Sequence, residues 1–205
     1  MIPGGPSPIL VAVICFLLGY LFGSIPFGLI FSYLSGAGDV RKIGSGSTGA
    51  TNVLRTGKKW AAAATLACDA GKGAAAVIIV PMLLYNTALA AAIAGLGALI
   101  GHIYPVWLGF KGGKGVATAA GILLALYWPA CLVLLGVWIA MLAIFRISSL
   151  SALTACAAAP IAMILFHQPL YAVLTLIMAL VIIFAHRENI ARLVKGEEPR
   201  VGAKR

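Results

Sequence analysis

Charged residues are scarce in this sequence, and acidic residues are the scarcest of all. Only 10% of the 205 residues are charged, with 5 Asp and Glu against 15 Lys and Arg, whereas 62% are hydrophobic. An average soluble domain carries roughly 25% charged residues. So few charges cannot cover a water-exposed surface, and the composition therefore predicts an integral membrane protein.

Paired cysteines and metal-binding clusters are also missing. Four cysteines stand singly in apolar stretches without C-x-x-C spacing: Cys15, Cys68, Cys131 and Cys156. We interpret them as small buried side chains, because an isolated apolar cysteine more often serves packing than redox or metal chemistry. The three histidines lie far apart in the sequence and no carboxylate cluster accompanies them. We therefore expect no metal site and no cofactor.

Long apolar runs make up most of the chain. A membrane-spanning helix needs roughly 17–25 apolar residues. The first run extends to Leu34 and has no positively charged segment before it, so we expect a retained span rather than a signal peptide. The runs predict an all-α integral membrane protein with seven transmembrane helices, at about 9–34, 60–84, 87–107, 113–128, 130–146, 150–167 and 169–186.

The distribution of positive charge favours seven spans over six. A fused helix over 113–146 would be about 50 Å long and would hold Pro129, a helix breaker, in its interior. With seven spans all 15 Lys and Arg lie on one side, whereas six spans divide them eight against seven. The positive-inside rule then places the N-terminus outside and the C-terminus in the cytoplasm. We expect one membrane-embedded domain over 1–205, with a basic cytoplasmic tail at 187–205.

Glycines and a proline in the first span predict its packing and its shape. Gly19 and Gly23 form a G-x-x-x-G pattern, which lets a neighbouring helix approach closely. Pro26 follows in the segment GSIPFG and is expected to bend this span.

Three polar stretches break the apolar runs, and the predicted topology places all three on the cytoplasmic face. The first, 39–59, contains GSGSTG, which has the G-x-G-x-x-G spacing of a dinucleotide-binding loop. That fingerprint requires a preceding strand, whereas here an apolar helix precedes it. We interpret the segment as an anion-binding loop, since glycines can turn backbone N–H groups inward. Side-chain donors accompany them at Ser45, Ser47, Thr48, Thr51 and Asn52, and Arg55 follows one helical turn later.

The second polar stretch, 101–118, contains GFKGGKG, which is not a P-loop. Its spacing is too short, and Gly115 stands where Ser or Thr would bind magnesium. We expect a Gly-Gly-Lys-Gly turn that opens the fourth helix, because a helix N-terminus attracts anions and Lys114 adds a full charge. For His102, near the end of the third span, a capping or packing role and a role in the pocket both stay open.

The third polar stretch begins at His186. His186, Asn189 and Arg192 follow each other at intervals of three, which places them on one helix face.

Asp69 and Lys72 show the same spacing inside the second span. We expect them to form an ion pair that faces the bundle interior. Alternatively, an interfacial or re-entrant segment over 57–72 would bring Lys72 to the same pocket.

Five segments, taken together and in this order, resemble one known family. They are GSIPFG, IGSGSTGATNVLR, CDAGKG, GHIYPVWLGFKGGKGVAT and HRENIARLVKGEEPR, and they resemble the bacterial membrane acyl-phosphate:glycerol-3-phosphate acyltransferases. In that family's first motif, Asn-Pro usually stands where this sequence has Ser47 and Thr48. The resemblance implies a seven-helix enzyme of the bacterial cytoplasmic (inner) membrane whose active site faces the cytoplasm. It further implies transfer of a fatty acyl group from acyl phosphate to the sn-1 hydroxyl of glycerol 3-phosphate, giving lysophosphatidic acid and phosphate.

The resemblance and the polar stretches together define the expected site. The expected catalytic residues are Ser45, Arg55, Lys114, His186 and Asn189. The expected substrate-binding residues are Ser47, Thr51, Asn52, Lys72, His102, Gly112, Gly113 and Gly115. Glycerol 3-phosphate, fatty acyl phosphate and membrane lipid are the expected partners of a monomer that binds no nucleic acid.

The residues also bear on the mechanism. The H-x-x-x-x-D pair of soluble-domain glycerophosphate acyltransferases is missing, since Trp107, Ala172 and Ala191 stand five residues after the three histidines. An acyl phosphate carries a good leaving group, so binding two phosphates side by side becomes the main task. The proton acceptor is either His186 or a substrate phosphate.

The alternative function is a transporter or flippase for an organic phosphate. Such a protein would require polar residues in both leaflets, whereas His167 and Asn86 are the main polar residues in the outer half.

Overall fold

Every regular element in the described part of the chain is helical. The computed structural model describes residues 6–84 and 87–202, and no strand occurs in these ranges. Asn86, Lys204 and Arg205, which belong to the expectations above, lie outside the described residues. The α-helices are α1 (Pro8–Gly23), α2 (Phe27–Leu34), α3 (Ala50–Leu54), α4 (Lys59–Leu83), α5 (Ala88–Ile103), α6 (Val116–Phe145), α7 (Ser148–Leu165), α8 (Pro169–Ala185) and α9 (Arg187–Val194), with 3₁₀ turns at Val40–Lys42 and Val106–Leu108.

Several of these helices are suited to a membrane. Within the described ranges five spans are long and apolar enough to cross it, and six if the bent pair α8 and α9 counts as one span. The prediction of an all-helical chain with several apolar spans is confirmed. The number seven and the orientation of the termini stay predictions.

The helix α6 contains the break at which the sequence separated the fourth and fifth spans. Tyr127 leaves the helical region, with φ −159° and ψ 88°, two residues before Pro129. Proline has no N–H and clashes with the preceding turn, so a helix tends to break just before it. The chain forms two compact units, Met1–Leu126 and Tyr127–Arg205, that meet at this position in the sequence.

In the first unit, α1 and α5 pack closely through glycines on both helices. A Cβ at Gly19 or Gly23 would collide with the backbone of Ala94 or Ala98 in α5, and Gly97 lies in the same way against the backbone of Phe16. The prediction of a close helix approach at the G-x-x-x-G pattern is confirmed.

The predicted bend at Pro26 is confirmed as well. The helix α1 ends at Gly23 and α2 begins at Phe27.

In α4, Lys72 donates from Nζ to the Ile25 carbonyl at 2.8 Å and forms an ion pair with Asp69 Oδ1 at 2.8 Å. The expected i,i+3 pair is therefore present, and both side chains are buried. Because α4 runs unbroken from Lys59 to Leu83, the structure favours this pair over the re-entrant alternative.

The second unit is built on α7, which packs against α8. The helices α8 and α9 meet at His186 with a bend of 64°. The segment after α9 returns to the start of α7, where the Val201 N–H donates to the Arg146 carbonyl at 2.7 Å. The described part of the predicted tail thus begins as a helix and folds back on its own unit.

Candidate active site

The first polar loop is organised around one buried amide. Asn52 lies in α3 and is 1% exposed. Its Nδ2 donates to three carbonyls of the preceding loop, those of Val40 at 2.9 Å, Ile43 at 3.2 Å and Ser47 at 2.8 Å. A side-chain amide supplies two donor hydrogens, so these contacts use its full donor capacity and hold the loop closed around α3.

The oxygen of the same amide positions two expected catalytic residues. Asn52 Oδ1 accepts from the Ser45 backbone N–H at 3.1 Å and from Arg55 Nη1 at 3.2 Å. The Ser45 hydroxyl lies 3.3 Å from that of Ser47. Gly44 adopts φ +55°, and a Cβ there would collide with Asn52 and Arg55. The expectation that Arg55 joins the polar side chains of this loop through a helical turn is confirmed.

The second polar loop is fixed to the end of α5 by its backbone. Gly112 donates to the Ile103 carbonyl and Gly113 to the His102 carbonyl, each at 3.0 Å. The predicted turn before the fourth helix follows, since Gly115 has φ +84° and accepts the first helical hydrogen bond of α6 from Ala119 at 2.8 Å. Lys114 is half-buried beside this helix N-terminus, which favours anions.

The two loops meet in the first unit. The backbone N–H of Thr48 donates to the Gly112 carbonyl at 3.4 Å. Stretches that lie far apart in the sequence are therefore neighbours, and the Ser45 and Arg55 loop adjoins the Lys114 loop. This part of the expected convergence is present in the fold.

The His102 side chain packs against the backbone of the second loop. Its side chain is buried, and its Nε2 fills the space that a Cβ at Gly113 would occupy. The other ring nitrogen, Nδ1, lies 3.5 Å from Asp69 Oδ1, and Asp69 also pairs with Lys72. The substrate-binding roles expected for His102 and Lys72 stay predictions, since both side chains contact Asp69 in the interior.

Sequence reasoning missed the contact between Asp69 and His102, although a signal for it exists. Asp69 precedes Leu83, the end of α4, by 14 residues, and His102 follows Ala88, the start of α5, by 14 residues. In two consecutive antiparallel helices such residues lie at the same depth, because each helix rises by 1.5 Å per residue.

In the second unit, His186 occupies the junction between α8 and α9. Its side chain is buried, and Nδ1 lies 2.8 Å from the Ile182 carbonyl oxygen. A carbonyl can only accept, so Nδ1 carries the proton in this contact. The neutral ring then holds its lone pair on Nε2.

Asn189 is held by a carboxylate that sequence reasoning did not select. Glu198 Oε1 accepts from Asn189 Nδ2 at 2.6 Å and from the Ser149 hydroxyl at 2.7 Å, and Oε2 pairs with Arg192 Nε at 2.6 Å. Glu198 thereby ties α7, α9 and the returning tail together. The signal in the sequence was the presence of one of only 5 acidic residues inside a stretch already marked as polar.

The environment of Glu198 favours its charged form. Burial alone would raise the pKa of the carboxyl, but hydrogen bonds from Ser149, Asn189 and Arg192 outweigh burial and hold the pKa below its usual range. The folded state therefore binds this proton less readily than the unfolded state does.

The expected catalytic residues are divided between the units. Ser45, Arg55 and Lys114 belong to the first, and His186 and Asn189 belong to the second. Their convergence on one pocket stays a prediction, as does a role for Thr51, which is exposed on α3.

Comparisons with known proteins agree with one another. The sequence model of the family described as glycerol-3-phosphate acyltransferase matches residues 13–196. A relative from Mesorhizobium japonicum with that name is 53% identical over 94% of this chain and 97% of its own length. Another from Maricaulis maris is 52% identical over 97% and 91%, respectively.

Solved structures are similar over almost the whole chain as well. A crystal structure of PlsY (YgiH), described as an integral membrane glycerol 3-phosphate acyltransferase in its glycerol 3-phosphate form, matches with a TM-score of 0.86 and 36% identity, covering 93% of this chain and 96% of that one. A second, described as the lysophosphatidic acid form, matches with a TM-score of 0.82 and 34% identity, covering 96% of both chains.

The carboxylate of Glu198 makes stability depend on pH in a defined direction. A depressed folded-state pKa stabilises the protein above the unfolded pKa, which is about 4.3 for Glu, and this contribution is lost as the pH falls through the folded pKa. We expect Glu198→Gln to lower the Tm in detergent near neutral pH, since buried donors lose a charged acceptor at a cost of about 1–3 kcal/mol. The difference in Tm between Glu198→Gln and wild type should become smaller below about pH 4.

Glu197→Gln is the matched control, because Glu197 is exposed next to it. Thermal unfolding of the three proteins across this pH range measures the effect. A constant difference in Tm at every pH would contradict a role for the Glu198 charge.

Proposed function

The chain belongs to the glycerol-3-phosphate acyltransferase family, and from this premise we propose that it transfers a fatty acyl group from acyl phosphate to the sn-1 hydroxyl of glycerol 3-phosphate. The products are lysophosphatidic acid and phosphate. The family match over residues 13–196 supports the acceptor, and the two solved relatives bear the names of the acceptor and of the lipid product.

One contact carries the proposal that the site binds two phosphates. The hydrogen bond from Thr48 to Gly112 joins the Ser45 and Arg55 loop to the Lys114 loop. Two anionic substrates repel each other, and a site that brings them together must supply positive charge and N–H donors from more than one direction. In our proposal Ser45, Arg55, Lys114 and the backbone of 112–115 bind and neutralise the phosphates.

The reaction depends more on the positioning of the two substrates than on a strong acid or base. The glycerol hydroxyl oxygen attacks the acyl carbonyl carbon, the new ester bond forms, and the bond from that carbon to the phosphate oxygen breaks. Phosphate leaves with the electron pair of that bond, and the hydroxyl gives up its proton. Positioning can supply roughly 7–11 kcal/mol of such a barrier, and one well-placed donor to the developing oxyanion about 2.7–4 kcal/mol.

His186 and Asn189 position glycerol 3-phosphate in this proposal. The contact from His186 Nδ1 to the Ile182 carbonyl supports His186 as the proton acceptor, because the lone pair of the neutral ring then lies on Nε2. A phosphate oxygen of the substrate is the other acceptor that the chemistry allows. Glu198 holds Asn189 and so fixes its amide from behind.

We place the enzyme in the bacterial cytoplasmic (inner) membrane as a multi-pass monomer whose active site faces the cytoplasm. The one-sided distribution of Lys and Arg in the seven-span topology supports this orientation. The acyl chain lies in an apolar groove between helices that opens to lipid.

The acyl donor is tested by direct assay. Purified protein is incubated with radiolabelled glycerol 3-phosphate and either palmitoyl phosphate, palmitoyl-CoA or palmitoyl acyl carrier protein, and the lipid is then extracted. We expect labelled lysophosphatidic acid with palmitoyl phosphate alone. Product from either thioester alone would contradict the proposed donor, and uptake of label into sealed vesicles without any lipid product would favour the transporter.

Lys114 is tested against a neighbouring lysine. We expect Lys114→Ala to lower the rate of transfer by about 100- to 1,000-fold, the effect of losing one donor to a developing charge. Lys111→Ala, at an exposed position of the same loop, is the control and should retain wild-type turnover. Equal Tm values for both variants establish that the fold is intact, and wild-type turnover in Lys114→Ala would remove this residue from the site.

His186 is tested through the pH dependence of the rate. His186→Asn keeps a donor near the Ile182 carbonyl but cannot accept a proton at neutral pH. If His186 is the base, the variant should lose the ionisation near neutral pH from the profile of kcat/KM. Partial activity with an unchanged profile would instead assign the proton to a substrate phosphate.

A further inference from the structure

We propose that Asp69 and His102 are positioning residues that hold the 112–115 loop, and with it Lys114, from the interior of the first unit. This inference rests on the proposed function, because it concerns how that site is held in place. It gives His102 an indirect role instead of the direct substrate contact expected from the sequence.

The loop lies directly on the last turn of α5. Two backbone hydrogen bonds attach it there, from Gly112 to Ile103 and from Gly113 to His102, each at 3.0 Å. The imidazole fills the remaining space, because Nε2 occupies the position of the Cβ that Gly113 lacks. A rotation of the His102 ring would therefore either press on Gly113 or leave a gap beside it. Both changes would shift Gly113 and, with it, Lys114, which is the next residue in the chain.

Asp69 determines the orientation of that ring. Its Oδ1 lies 3.5 Å from His102 Nδ1, which is longer than a hydrogen bond but close enough for attraction between charge and ring dipole. His102 Nδ1 is buried and makes no hydrogen bond to any residue that the structure describes. A buried polar atom without a partner calls for an explanation, and contacts of this kind often tighten only when substrate binds.

The carboxylate itself is fixed from the other side. Lys72 Nζ contacts Asp69 Oδ1 at 2.8 Å and donates to the Ile25 carbonyl at 2.8 Å, at the bend between α1 and α2. Ionisable groups inside a membrane segment are costly and for that reason usually functional. Packing alone would be served as well by apolar residues at these positions.

The effect of the ring reaches both loops of the site. The Gly112 carbonyl accepts the hydrogen bond from Thr48, so a displacement of Gly112 and Gly113 also displaces the loop that contains Ser45. A misplacement of about 1 Å in a reacting group can cost about 100-fold in rate. Two residues that do not contact the substrate in this proposal can thus change the rate through backbone position.

Two amide variants test the two ring nitrogens of His102 separately, because each variant keeps a polar group at the position of only one of them. In His102→Asn the amide nitrogen replaces Nδ1 and keeps the donor that faces Asp69, whereas the atom next to Gly113 is lost. In His102→Gln the amide group reaches the position of Nε2, whereas the donor to Asp69 is lost. We expect His102→Asn to lower kcat/KM for glycerol 3-phosphate by about 100-fold, and His102→Gln to retain about ten times more activity than His102→Asn.

A double-mutant cycle tests whether Asp69 acts through His102. We expect Asp69→Asn to lower kcat/KM about tenfold in wild type and to have little further effect in His102→Gln, where the donor to Asp69 is already missing. The unpaired Lys72 that Asp69→Asn leaves behind is common to both backgrounds, so its effect cancels in the cycle. Thr65→Val is the structural control, since Thr65 is equally buried one turn earlier in α4 and its hydroxyl donates to the Ala61 carbonyl.

Each result of this experiment has a defined meaning. Coupling between Asp69→Asn and His102→Gln in kcat/KM per folded molecule supports the proposal, whether or not the unpaired Lys72 lowers the Tm of Asp69→Asn. A lowered Tm with wild-type kcat/KM per folded molecule would overturn it and make the pair a packing feature. Equal losses for Asp69→Asn in both backgrounds would also overturn it. An inactive wild-type protein would instead reject the proposed function.

Discussion

Polar groups inside an apolar bundle must find their partners within the protein, and the other features of this structure follow from that constraint. Water cannot satisfy a carbonyl or a charge in a hydrocarbon environment, where each unpaired group is costly. At the bend near Pro26 the Ile25 carbonyl accepts from the Phe27 N–H and from Lys72 Nζ, and the charge of Lys72 is balanced by Asp69. Buried groups outside the spans are paired in the same way: Asn52 donates to three loop carbonyls, and Glu198 accepts from three donors.

In the polar loops the backbone and the buried side chains have different roles. Glycines with positive φ let the polar loops turn sharply, and buried amides and carboxylates hold those segments still. Asn52 is the clearest case, since its oxygen fixes both the Ser45 backbone and the Arg55 side chain. A loop so rich in glycine has high conformational entropy when unfolded, and the buried contacts offset that cost.

Local features of the sequence predicted those parts of the fold that depend on neighbours in the chain. The bend at Pro26, the close approach at Gly19 and Gly23, the pair of Asp69 with Lys72 and the turn before α6 all follow from residues a few positions apart. The contact of Asp69 with His102 depends on how α4 and α5 align, and the role of Glu198 depends on the tail folding back. Periodicity and spacing do not encode such long-range register. The division of the expected site residues between two units also follows from tertiary structure alone.

The spacing of Asp69 and Lys72 has a consequence for biogenesis. Both charges belong to α4 and lie within one turn of each other, so they can neutralise one another as soon as that helix forms. The segment can then leave the insertion machinery as an electrically balanced helix before α5 has been synthesised. His102 would find this pair already in place and would need only to dock beside it. A charge pair of longer range would have exposed one ion to lipid while its partner was still on the ribosome.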